Sequence, residues 1–125
     1  MATAGRFTGK VAIVTGGTSG IGEATVKLLV AEGARVAIAA RRQELGDALV
    51  KELGADKAIF CKTDMASKTD IEALFAATVK AFGGLDILIN NAAQSCFGAT
   101  PDLDPAAWHQ VIATNLDAVF YTARL

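Results

Sequence analysis

The sequence predicts an α/β protein: a doubly wound parallel sheet with helices on both faces, incomplete, with about four strands present. Two observations predict it. Short apolar runs alternate with segments of helical periodicity from one end of the chain to the other. A glycine-rich turn also joins the first apolar run to the first helical segment.

The first run, Val11–Val14, is continuously apolar rather than alternating, as suits a strand covered on both faces. Thr15-Gly16-Gly17-Thr18-Ser19-Gly20-Ile21-Gly22 follows it directly, and a helical pattern then runs from Ile21 to about Glu32, with Gly33 as its stop. Val36–Ala40 is the second strand, and the second helix spans roughly Gln43 to Leu53, ending at Gly54. Ala58–Cys61 is the third strand. In the third helix Ile71, Leu74, Phe75, Thr78, Val79 and Phe82 share one face. Ser67 with Asp70 reads as a capping box at its start, and Gly83-Gly84 ends it. Ile87–Ile89 is the fourth strand. The fourth main helix starts at Asp104 as N-cap with Pro105 in the first turn, and carries an apolar stripe through Trp108, Val111, Ile112, Leu116 and Val119. No stop signal precedes Leu125. Because doubly wound sheets of this kind hold about six strands, residues 1–125 are expected to be one domain cut within its fourth main helix.

Composition narrows the partners. The chain of 125 residues is 52% apolar and 20% charged, with a net charge of -1, which is the balance of a soluble globular domain. It has no basic cluster beyond Arg41-Arg42, so neither a nucleic-acid surface nor an anionic membrane surface is indicated. No apolar run approaches the length of a membrane span. Met1–Thr8 contains no apolar core for export, and Cys61 with Cys96 makes neither a disulfide framework nor a metal pattern. A reduced, cytoplasmic setting without a metal site is the expectation.

The residues that carry chemistry cluster at strand ends. Strand, glycine turn and helix start come in the order that a dinucleotide pyrophosphate needs: glycines let the backbone approach the phosphates, and the helix offers free N–H groups and its positive dipole end. The spacing is G-x-x-x-G-x-G; a plain tight turn is the competing reading. The second strand ends Ala39-Ala40-Arg41-Arg42, without the carboxylate expected for a ribose 2′-hydroxyl. A guanidinium forks onto phosphate, so Arg41 and Arg42 favour NADP over NAD, unless both are simply the solvated start of the next helix. Asp64, just past the third strand, suits either an adenine amino group or a local turn. Asn90-Asn91-Ala92-Ala93 suits close approach of a ligand, or an ordinary turn. Asn115 falls in phase with the apolar stripe, and a buried amide there must either anchor a neighbouring segment or hold an ordered water. His109 lies off the stripe, Cys96 lacks a partner, and Tyr121 has no lysine four residues on.

Taken together, Thr15-Gly16-x-x-x-Gly20-Ile21-Gly22, Asp64, Asn90-Asn91-Ala92 and Asn115 resemble the short-chain dehydrogenase/reductase family, in order and over the whole chain. The resemblance implies a Rossmann-like fold and hydride transfer between a nicotinamide cofactor and a small carbonyl or alcohol substrate. It implies cofactor contacts from Gly16, Thr18, Ser19, Gly20, Ile21, Gly22, Arg41, Arg42, Asp64, Met65, Asn91, Ala92 and Ala93, with NADP as the ligand. Asn115 matches the family asparagine that holds a water in a proton relay, and Gln94–Thr100 would border the substrate pocket. Ala93 departs from the family's usual glycine. The family's catalytic serine and Tyr-x-x-x-Lys pair lie beyond the helix that ends here at Leu125, so the chain alone is expected to be catalytically silent. Its last helix is expected to mediate homo-oligomer formation. The alternative reading is a non-catalytic nucleotide-binding module completed by a partner chain.

Overall fold

A computed structural model describes residues 5–125. The reading of Met1–Thr8 therefore lies, for residues 1–4, outside the described residues. The elements alternate as expected: β1 (Val11–Thr15), α1 (Gly20–Ala31), β2 (Arg35–Ala40), α2 (Gln43–Leu53), β3 (Ala58–Lys62), α3 (Lys68–Phe82) and β4 (Ile87–Ile89). A short 3-10 turn at Thr100–Asp102 leads into α4 (Pro105–Ile112), a π turn (Ala113–Asp117) and α5 (Ala118–Arg124). Backbone angles stay in the right-handed helical region through both junctions, so these last three pieces form one continuous helix.

The strands pair in parallel, in the order β3-β2-β1-β4. Ile13 pairs with Ala37 on one side and with Leu88 on the other, while Ala37 pairs with Ile59. Alternate strand residues face opposite layers. Ala12, Val14, Val36 and Ile38 pack with Val26 and Leu29 of α1 and Leu49 of α2. Ile13, Ala37 and Ala39 pack with Leu74 of α3 on the other face, and Ala118 of α5 packs there with Ile71 and Met65. The doubly wound arrangement follows from this two-sided burial.

Coverage on both faces holds for β1, buried throughout, and for the middle of β2. It does not hold for β3 and β4, which form the two edges and are partly exposed. An edge strand has a neighbour on one side only, and the apolar run alone does not reveal its place in the sheet. Helix punctuation is close to expectation. Asp104 Oδ1 accepts from the Ala106 N–H, and α3 ends at Gly83 in the left-handed conformation. The capping box at Ser67 closes only halfway. Ser67 Oγ accepts from the Asp70 N–H at 3.2 Å, but Asp70 Oδ2 turns away to accept from the Asp64 N–H at 2.9 Å. The carboxylate thus fixes the chain leaving β3 instead of the helix start.

Candidate functional site

With β1 in the interior and β4 on its far side from β2, the strand order reverses between β1 and β4. In open α/β sheets this is where a crevice forms at the carboxyl ends of the strands. A cleft of about 470 Å³ opens there. Gly16, Thr18 and Ser19 line it from the turn after β1, and Ala39–Arg42 from the end of β2. Thr63, Asp64 and Met65 contribute from the exit of β3, Ala92, Ala93 and Gln94 from the exit of β4, and Thr114 from the π turn. The structure thus brings nine of the residues expected from sequence onto one cavity: Gly16, Thr18, Ser19, Arg41, Arg42, Asp64, Met65, Ala92 and Ala93. Gly20, Ile21, Gly22, Asn91 and Asn115 do not line it.

The glycine turn is held by its neighbours across the sheet. Gly16 has φ +65°, and a Cβ there would stand 3.0 Å from both Ala92 Cα and Asn91 Nδ2. A Cβ on Gly22 would drive into the Gly16 carbonyl oxygen, so α1 can sit this close to the turn only with glycine at that position. Asn91 Nδ2 donates to the carbonyls of Thr15 (3.0 Å) and Gly16 (3.2 Å). Thr15 Oγ1 accepts from the N–H groups of Asn91 and Ala92, both at 3.0 Å. Beyond the last ladder pair, Val14 with Ile89, the ends of β1 and β4 are therefore bound together through two side chains. Asn91 acts behind the cleft as the support of its floor.

Other expectations resolve individually. Ser19 is the N-cap of α1 in an extended conformation, but its side chain makes no cap bond. The orphan N–H groups and positive end of α1 are thus not occupied by that hydroxyl. Asp64 Oδ1 accepts from the Ala66 N–H at 2.9 Å, which is the local-turn role. Arg42 is the N-cap residue of α2, and Arg41 precedes it; both are exposed and neither makes an ion pair among the described residues.

Asn115 corrects the sequence reading. It is exposed, not buried, because Trp108, Leu116 and Val119 of its stripe face outward while Thr114, Ala118 and Thr122 face inward. Its amide anchors a neighbouring segment: Oδ1 accepts from the Gln94 N–H and Nδ2 donates to the Gln94 carbonyl, both at 2.8 Å. His109 is exposed. Cys61 is half-buried on β3, and burial pushes its thiol pKa up, which keeps it protonated and a poor nucleophile. Among the described residues no group of three or more His, Cys, Asp or Glu is placed to hold a metal ion, and no helix is long and apolar enough to cross a membrane.

Sequence reasoning missed Thr15 as a structural hydroxyl, and Ala39, Ala40, Thr63 and Thr114 as cleft residues. Ala39 and Ala40 carry a usable signal, since they end the strand that brings in Arg41. Thr114 carries none, because its importance lies in what it does not touch. Its Oγ1 is buried at the cleft with no hydrogen-bond partner. A buried hydroxyl without a partner costs stability, and this one belongs to a residue in the wall of the cleft. This orphan hydroxyl and the turn that a Cβ at Gly16 would fill both suit a dinucleotide.

Comparison with known proteins agrees with this geometry. Residues 10–125 match the family model described as short chain dehydrogenase. A 2,5-dichloro-2,5-cyclohexadiene-1,4-diol dehydrogenase of Sphingobium indicum is 55% identical over 87 residues, which is 70% of this chain and 34% of that protein. An NADP-dependent (R)-specific alcohol dehydrogenase of Lentilactobacillus kefiri is 38% identical over 121 residues, 96% of this chain and 48% of that one. The crystal structure of a short-chain dehydrogenase/reductase from Brucella melitensis superimposes with a TM-score of 0.91 at 31% identity, covering 98% of this chain and 52% of that one. The chain spans about half the length of the curated relatives that it matches along most of its own.

Proposed function

This chain belongs to the short-chain dehydrogenase family, and from that premise we propose that it is the NADP-binding portion of an oxidoreductase acting on a carbonyl or alcohol. The observation that carries the reading is the single cleft onto which the glycine turn, Arg41 and Asp64 all open. Gly16, Thr18, Ser19 and the N-terminus of α1 would take the pyrophosphate, with Gly20, Ile21 and Gly22 shaping that helix start. Arg41, with Arg42 beside it, would take the 2′-phosphate that distinguishes NADP from NAD. Asp64 keeps its second carboxylate oxygen for an adenine amino group, and Met65 supplies an apolar wall beside it. Asn91, Ala92 and Ala93 shape the floor.

The bound cofactor supplies a hydride to a carbonyl carbon, or accepts one from an alcohol. Asn115 is the one residue proposed here for the proton side of that reaction. Its amide fixes Gln94, and the π turn around it widens the helix, where a main-chain carbonyl that loses its usual partner can hold a water. A proton donor for the developing alkoxide is still required. The sequence in hand offers a single tyrosine, Tyr121, with Leu125 where a paired lysine would stand. We therefore expect residues 1–125 to bind cofactor without turnover. A small-molecule substrate, a cytoplasmic setting and self-association through the outward face of α4 and α5 belong to the same proposal. A non-catalytic nucleotide-binding module completed by a partner chain is not favoured, since matched relatives include proteins named as dehydrogenases.

Fluorescence titration of the chain with NADPH and with NADH tests the reading. Micromolar NADPH binding, weaker NADH binding and no oxidation of NADPH by a panel of carbonyl compounds are expected. Failure to bind either nucleotide would overturn it.

A further inference from the structure

Arg41 does not reach into the cleft alone. With its carboxamide oxygen turned toward the guanidinium, Gln94 accepts from Arg41 Nη1 at 2.9 Å and from Nη2 at 3.2 Å. The two residues come from opposite walls, Arg41 from the end of β2 and Gln94 from the exit of β4, and both line the cavity. The backbone of Gln94 is itself tethered, because Asn115 binds its N–H and its carbonyl at 2.8 Å each. A continuous set of hydrogen bonds therefore runs from the π turn across the mouth of the cleft to the guanidinium.

We propose that Gln94 is a positioning residue for Arg41, and that it sets how strongly the site selects a nucleotide bearing a 2′-phosphate. The inference rests on the reading of Arg41 as the phosphate contact and adds the group that makes that contact effective. Three physical points support it. The carbonyl oxygen occupies the end of the guanidinium between Nη1 and Nη2, leaving the edge formed by Nε and one Nη free to fork onto a phosphate. Arginine has many rotamers when free in solvent, and one tethered in advance loses less freedom when the ligand arrives. The tether is neutral as well: a carboxylate in its place would hold the guanidinium but cancel its charge, whereas an amide leaves the full charge for the phosphate. No carboxylate of the described residues pairs with Arg41.

The test compares NADPH and NADH affinities of the full chain by fluorescence titration, for the natural sequence, Gln94→Met and Gln94→Ala. Methionine keeps the length and unbranched shape while removing the acceptor; alanine keeps the backbone that Asn115 holds. Thermal melts confirm that each variant is folded. Either folded variant is expected to lose about three- to tenfold in the NADPH-to-NADH affinity ratio, the scale of the net contribution of one hydrogen bond. In an Arg41→Ala background the same substitutions should leave the ratio unchanged, because there is nothing left to position. A purely structural role would weaken both nucleotides in parallel, so an unchanged ratio in the Arg41-containing protein overturns the inference and leaves the cofactor reading intact. A natural chain that binds NADPH and NADH equally overturns the reading of Arg41, and this inference with it.

Discussion

The two neighbours of β1 are held to it in different ways. Against β2 it has a five-residue register with every one of its own side chains buried, and burial of that continuous apolar surface supplies the cohesion. Against β4 it has three paired residues, all only partly covered on the β4 side. What the shorter contact lacks in area, side chains supply at its two ends. Asp86 Oδ2 accepts from the Val11 N–H at 2.9 Å below the ladder, and Thr15 with Asn91 closes it above. The upper closure is also the floor of the cleft. The weaker strand pair is thus fastened where the ligand would sit, so the stability of that pair and the geometry of the site are one property.

Substitutions break the comparison in a graded way. Gly22→Ala should have the largest effect. Its methyl group would press on the Gly16 carbonyl and come within 2.6 Å of Asn91 Nδ2, striking the Asn91 side chain and a carbonyl that it binds. A loss of roughly 2–4 kcal/mol in urea unfolding, together with loss of NADPH binding, is expected for such overpacking against backbone. Thr15→Val keeps the shape but removes the oxygen that accepts from the Asn91 and Ala92 N–H groups. It should cost about 1–3 kcal/mol for donors left unpaired, and weaken nucleotide binding without touching a ligand-lining side chain. If unfolding in urea is unchanged by Thr15→Val, the idea that side chains fasten β4 fails. Leu116→Gln is the smallest perturbation: Leu116 is 62% exposed, so stability should move by no more than about 0.5 kcal/mol. Sedimentation should nonetheless show reduced self-association if the outward apolar face of α4 and α5 is sticky, and an unchanged profile would remove that face from the proposal.

The same contrast marks what could be read in the sequence. The fold follows local signals: β1 and β2 declare themselves as apolar runs, and Ser67, Gly83 and Asp104 mark helix ends within a residue or two. The cleft also follows, because the fold rule places strand ends and the residues at those ends together. Contacts between residues far apart in the chain are another matter. Thr15 meets Asn91 across 76 positions, and nothing about a threonine after an apolar run announces that its hydroxyl will accept from two distant N–H groups. A Cβ on Gly46 would run into the Phe60 ring, so the helix-to-sheet spacing depends on a contact that the sequence of α2 by itself does not reveal. Asn115 departs from its expected burial for a physical reason: periodicity tells which residues share a face, but not which face turns inward. The helix turns Thr114, Ala118 and Thr122 toward the core, where small side chains let it lie close to α3, and leaves the bulkier apolar residues outside.

The π turn at Ala113–Asp117 works as a phase shifter. An α-helix advances about 100° per residue, so one extra residue in a turn rotates everything beyond it by about that angle relative to what came before. Shortening this turn by one residue would leave α4 and the Asp104 cap undisturbed while swinging α5 around its own axis. Ala118 and Thr122 would leave the core face, and the Thr122 hydroxyl would lose Asn90 Oδ1, now 3.0 Å away. A single irregular turn therefore lets one rod serve two orientations: the turn itself places Thr114 at the cleft and Asn115 against the loop at Gln94, and the part beyond it docks against α3.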